Sequence, residues 1–262
     1  MEQVVAGSDE VEGIPVRWVA PGESASGVAL WLTHLGGSTE QAEPMLVRLA
    51  ERGLVAVSFD PPGHGRRGGG APPWEFASRV LASFRQRMWP LLGQTVLESL
   101  RVLDWADERF GGGGAHVAGG VSMGGDVAVA LAGIDPRISR VSALVATPDW
   151  TRPGMRTLDE RRQIIDQGQA DSYARWCFDA FNPMTHLEAY DRDVAISFQC
   201  AAADGHVPAE AAVRFREALT ERNPRAADRV SVDLYEGLSH LDGARDQRLY
   251  AAATDWLTAR PS

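Results

Sequence analysis

Lysine is absent from this sequence of 262 residues, so all 26 basic residues are arginine. That one absence removes Schiff-base catalysis, covalent attachment of pyridoxal phosphate, the phosphate-binding lysine of a Walker loop and the Ser-x-x-Lys nucleophile pair. Cysteine is nearly absent too. Cys177 and Cys200 are the two present, neither in a Cys-x-x-Cys spacing, and they are read as buried free thiols. Long apolar runs are missing: Val28 to Leu32 and Leu54 to Val57 are among the longest, far short of a bilayer span, so no membrane partner is expected. The first ten residues, MEQVVAGSDE, are acidic and have neither a basic nor an apolar leader region, which makes the cytoplasm the expected location. Positive charge is in deficit at a net −9, which argues against nucleic acid as a partner, since phosphate binding needs a basic face. The six histidines are scattered without His-Glu-x-x-His, so no metal site is expected, and His116, His186 and His206 read as isolated structural residues.

What is present is an alternation of short β-branched runs with longer helical patterns. Strands are expected at Ile14 to Val19, Val28 to Thr33, Leu54 to Phe59, His116 to Gly119, Val141 to Ala146, Val194 to Gln199 and Val230 to Tyr235. Helices are expected at Glu40 to Arg52, Leu91 to Arg109, Met123 to Ala132, Ala209 to Thr220 and Ala244 to Thr258. Such spacing predicts an α/β fold in one domain over 1–262, with a mostly parallel sheet of about eight strands and helices on both faces. The stretch 148–193 breaks the rhythm. It carries helix-like patterning at Thr157 to Ile165 and Ser172 to Phe181 and four aromatic residues, Trp150, Trp176, Phe178 and Phe181, as expected of a short helical lid over a site. Two glycine-rich spots, Gly63 to Gly70 and Gly111 to Gly114, read as loops. Five arginines between Arg66 and Arg87 against the single acid Glu75 read as a solvated helix face.

The chemistry gathers at Gly119-Gly120-Val121-Ser122-Met123-Gly124-Gly125, a Gly-x-Ser-x-Gly run between an expected strand and an expected helix. In that setting the serine stands at a sharp turn, and only small residues two positions either side let the backbones approach. The helix N-terminus beneath it favours negative charge, and the N–H of Met123 is one candidate oxyanion donor. Upstream, Thr33-His34-Leu35-Gly36-Gly37-Ser38 places a small-residue loop after a strand, where a backbone N–H of Gly36 or Leu35 can serve as the second; His34 reads as a brace for that loop. Downstream, Asp204 follows one strand and His240 follows the next. An aspartate ahead of a helix is by itself an ordinary N-cap. Ser122, Asp204 and His240 in that chain order, each after its own strand, instead fit a nucleophile, an orienting acid and a base.

On these residues, together with Phe59-Asp60-Pro61-Pro62-Gly63-His64-Gly65, the sequence resembles the α/β-hydrolase superfamily over nearly its whole length. Within it, the resemblance is to small esterases near the dienelactone-hydrolase-like and YjfP-type group. The resemblance implies Ser122 as nucleophile, Asp204 as acid and His240 as base, with oxyanion N–H groups from Met123 and Gly36. Two departures stand out: Leu35 occupies the usual glycine after the loop histidine, and Ala201 replaces a glycine three residues before the acid.

The expected activity is hydrolysis of a small or medium carboxylic ester, lactone or thioester through an acyl-enzyme on Ser122, with no cofactor. Trp150 and Trp176 are expected to contact the small-molecule substrate. The same array also serves an acyltransferase or a carbon–carbon bond hydrolase, and the fold can serve as a non-catalytic binding protein. Gly63-His64-Gly65-Arg66-Arg67-Gly68 spells Gly-x-Gly-x-x-Gly, the signature of a dinucleotide site, but the prolines Pro72 and Pro73 are expected to break the helix that such a site requires.

Overall fold

The computed structural model describes residues 4–22, 24–111 and 114–259. Eight strands, β1 (Val4–Val11), β2 (Ile14–Pro21), β3 (Gly27–Leu32), β4 (Val55–Phe59), β5 (Ala115–Val121), β6 (Ile138–Leu144), β7 (Ala195–Ala201) and β8 (Val230–Tyr235), form one sheet in the order β1-β2-β4-β3-β5-β6-β7-β8. From β4 to β8 every pairing is parallel, while β1 and β2 run antiparallel at one edge. The helices are α1 (Thr39–Ala50), α2 (Pro73–Ala82), α3 (Phe84–Phe110), α4 (Met123–Ile134), α5 (Ser172–Phe181), α6 (Glu210–Arg222), the single turns α7 (Pro224–Ala227) and α8 (His240–Gly243), and α9 (Gln247–Leu257).

Alternation along the strands decides which helices lie on which face. In β3, Val28, Leu30 and Leu32 point into one core layer with α3, α4, α5 and α6, whereas Ala29 and Trp31 point into the other with α1 and α9. The chain leaves β3 toward β4 on one side and reaches β5 on the other, so the strand order reverses between β3 and β5. The carboxyl ends of strands at such a reversal are where open α/β sheets place their sites. Both cysteines are free and buried. No helix among the described residues is long and apolar enough to cross a membrane.

Several expectations are corrected. Strand β1 went unread because its sequence, VVAGSDEV, has only one buried residue and lacks an apolar face. Pro72 and Pro73 do not prevent a helix. They start α2, with a proline in the first turn, where its missing N–H has no helical partner to lose. Helix α3 begins at Phe84, earlier than expected, and runs through Pro90. Thr157 to Ile165 is not helical. It is a tight excursion closed by a bridge between Arg156 and Ile164, leaving α5 as the one α-helix of the 148–193 stretch. The last helix starts at Gln247, after the separate turn at His240. The glycine run at 111–114 lies partly outside the described residues.

Candidate active site

Ser122 joins β5 to α4 with φ +52° and ψ −117°, a conformation that L-residues seldom adopt. Its N–H donates to the Leu144 carbonyl at 2.8 Å, which pins the turn to the neighbouring strand. The turn is possible because of its glycines. A Cβ on Gly120 would lie 2.5 Å from the Gly124 carbonyl carbon, and one on Gly124 would lie 2.3 Å from the Leu32 carbonyl oxygen. The serine turn, the start of α4 and the end of β3 are thus packed backbone against backbone.

His240 opens α8, whose first turn is fixed by a reciprocal cap between Ser239 and Asp242. Its Nδ1–H donates to Asp204 Oδ2 at 2.6 Å, and its Nε2 stands 3.1 Å from Ser122 Oγ, placed to accept the hydroxyl proton. The three side chains are buried. Asp204 does not cap α6, whose N-cap is Ala209. Its Oδ1 instead accepts the backbone N–H groups of His206 and Val207, each at 2.8 Å, which holds the carboxylate with Oδ2 turned to the histidine. Fixing Nδ1 as the donor leaves Nε2 as the acceptor, the tautomer a general base requires.

The loop after β3 is a tight turn in which the Gly37 N–H donates to the His34 carbonyl at 2.8 Å, with Gly36 at φ +80°. His34 braces it, its Nδ1 lying 3.1 Å from the Leu35 carbonyl. The N–H groups of Leu35 and Gly36 donate to no described residue, and neither does that of Met123 in the first turn of α4. Asp60 secures the neighbouring loop, accepting from the Thr39 and Arg66 N–H groups at 2.9 Å each. Helix α2 packs over Gly36, where a Cβ would meet the Pro73 carbonyl at 3.1 Å.

Of the two tryptophans expected at the substrate, Trp150 is a core residue with 0% exposure, and Trp176 stands out from α5 at 56% exposure. Phe178 and Phe181 also pack into the core rather than lining an open pocket, Phe178 against Trp89. Sequence reasoning missed two other features. Asp126, one turn along α4 from Ser122, is ion-paired with Arg152 and accepts the Thr147 N–H at 2.7 Å. Burial pushes the Asp126 carboxyl up, against the opposing pull of the guanidinium. The second is His206, read as isolated, whose ring lies 5.0 Å from that of His240. Beside these two histidines is a cavity of about 200 Å³ walled by the 157–162 excursion, Gly205 and Leu241. A larger groove of about 820 Å³ is lined by Asp204, Pro208 and Leu234 but not by Ser122. The described residues contain no group of three or more His, Cys, Asp or Glu side chains arranged to hold a metal ion.

This sheet, with a serine at the β5 elbow and an acid and a histidine after β7 and β8, is the α/β-hydrolase fold. No protein-family model and no curated protein matches the sequence. Among solved structures, the chain is similar to TT1662 from Thermus thermophilus, with 26% identity, a TM-score of 0.72 and coverage of 98% of this chain and 100% of that one. It is also similar to a putative dienelactone hydrolase from Klebsiella pneumoniae (15% identity, TM-score 0.66, 98% of this chain and 100% of that one). A third is a cold-adapted esterase from an Arctic intertidal metagenomic library (17% identity, TM-score 0.60, 99% of this chain and 94% of that one).

Proposed function

We propose that the protein is a serine hydrolase that cleaves a carboxylic ester, lactone or thioester through an acyl-enzyme on Ser122. One observation carries the reading: His240 bridges Ser122 Oγ at 3.1 Å and Asp204 Oδ2 at 2.6 Å, with the serine on a strained turn at a helix N-terminus. The naming of two fold neighbours as an esterase and a dienelactone hydrolase agrees with it.

In the first half-reaction His240 takes the hydroxyl proton as Oγ bonds to the acyl carbon. The resulting oxyanion is met by the Met123 N–H and by that of Gly36 or Leu35. His240 then gives its proton to the leaving oxygen or sulfur as the carbon–heteroatom bond breaks. Water repeats the sequence against the acyl-enzyme and releases the acid. Segment 148–193 acts as a cap: the Arg156 N–H donates to the Gly205 carbonyl at 2.8 Å and Arg162 Nη2 to the Ala203 carbonyl at 2.7 Å, which ties its excursion to the Asp204 loop.

The test is turnover of short p-nitrophenyl esters by the purified protein. A burst of p-nitrophenol stoichiometric with enzyme, lost in Ser122→Ala, is the expected result; steady release that is unchanged in Ser122→Ala contradicts it.

A further inference from the structure

His206 and Ser239 set polar groups beside His240 in the wall of the small cavity. His206 Nδ1 lies 2.8 Å from the Arg156 carbonyl oxygen. A carbonyl only accepts, so Nδ1 carries the proton, and Nε2 of the neutral ring is left as a lone-pair acceptor. Nε2 has no hydrogen-bond partner among the described residues and, unlike His64 Nε2, is not sealed from solvent. His206 lines the cavity together with His240, Ser239 and Leu241, while Asp159 and Glu160 add carboxylates at its outer wall. The one cation there, Arg162, is engaged with the Ala203 carbonyl. The ring stays neutral in ordinary buffers: burial, then the nearby charges of His240 and Arg152, push the His206 pKa down to about 3.

Of the catalytic array the cavity is lined by His240 alone, with neither Ser122 nor Met123 nor any of residues 34–38 in its wall. His240 is the group that must deliver a proton to the leaving oxygen, so a space that meets the array only at His240 fits the leaving group rather than the acyl group. Resting on the serine-hydrolase reading above, we infer that the cavity is a leaving-group site and that His206 Nε2 selects esters whose alcohol carries a further hydrogen-bond donor, a hydroxyl or an ammonium group. An alkyl alcohol of the same size leaves Nε2 desolvated and unpaired, and it is this penalty that discriminates between the two.

The experiment compares hydroxyethyl butyrate with propyl butyrate, which replaces the hydroxyl by a methyl group. For the wild-type protein kcat/KM is expected to favour the hydroxyethyl ester by about tenfold, the worth of one buried neutral hydrogen bond, expressed mainly in KM. In His206→Phe, which keeps a flat ring against His240, the ratio falls to about one; His206→Gln, with an amide oxygen that can accept, keeps a ratio above one. A merely structural role lowers both esters together and leaves the ratio unchanged. Equal use of the two esters by the wild-type protein, or a ratio that survives His206→Phe, overturns the inference. Failure of the underlying reading looks different: neither ester turns over, and Ser122 takes no adduct from a fluorophosphonate.

Discussion

Asp126 on α4 and Arg152 on the segment after β6 form an ion pair in which the side chains are 0% and 1% exposed. The pair joins the 148–193 segment to the helix that carries Ser122. Losing Asp126 leaves the Arg152 guanidinium, which does not deprotonate, charged and buried, at a cost of about 3–5 kcal/mol, whereas removing both costs much less. Asp126→Asn is therefore expected to lose stability by that amount in urea unfolding, and Asp126→Asn combined with Arg152→Met to recover most of it. Additive losses in the double variant contradict this.

Asp204 does two things at once, and an amide does only one of them. In Asp204→Asn the side-chain oxygen can still accept the His206 and Val207 N–H groups, but an NH₂ then faces His240 Nδ1 and favours the wrong tautomer. Ester turnover is expected to fall by about 10⁴ in kcat with the fold intact by circular dichroism, the scale seen when a triad loses its tautomer control.

Gly124→Ala puts a Cβ 2.3 Å from the Leu32 carbonyl oxygen, backbone against backbone, so the elbow must shift. A displacement of the nucleophile on the order of 1 Å lowers kcat about a hundredfold. Steady-state kinetics checks it, and wild-type kcat in the variant would mean that the close packing is not what positions Ser122.

Acid stability follows from two buried histidines. The His206 pKa is pushed down to about 3, and burial likewise lowers that of His64, whose Nδ1 lies 3.0 Å from the Pro62 carbonyl. Below about pH 6.5 the unfolded chain binds protons that the folded protein does not, so stability falls as the pH drops; for His206 the fall continues toward pH 3 at up to about 1.4 kcal/mol per unit, and His64 adds in the same direction. His206→Phe is expected to flatten that slope between pH 6 and 4 in urea titrations. An unchanged slope contradicts the assignment.

The sequence made the parallel strands and the serine turn readable because each depends on local pattern: β-branched runs such as Val28 to Leu32, and glycines flanking Ser122. Asp204 and His240 were legible through chain order, and the structure brings them to hydrogen-bonding distance of each other and of the serine. What was not legible depends on tertiary contact. Trp150 looks like a ligand-facing aromatic until the core closes over it. His206 looks isolated until the chain reversal at 156–164 brings the Arg156 carbonyl to its ring. The pairing of Asp126 with Arg152 spans 26 residues and carries no local signature. Strand β1 escapes because edge pairing with β2, rather than an apolar face, makes it a strand.

The most direct test of the central claim is intact-mass spectrometry after exposure to a fluorophosphonate. A single adduct that maps to Ser122, and is absent from both Ser122→Ala and the heat-unfolded protein, is the expected result. Folded protein that takes no adduct, or an adduct that persists in Ser122→Ala, contradicts an activated serine at this elbow.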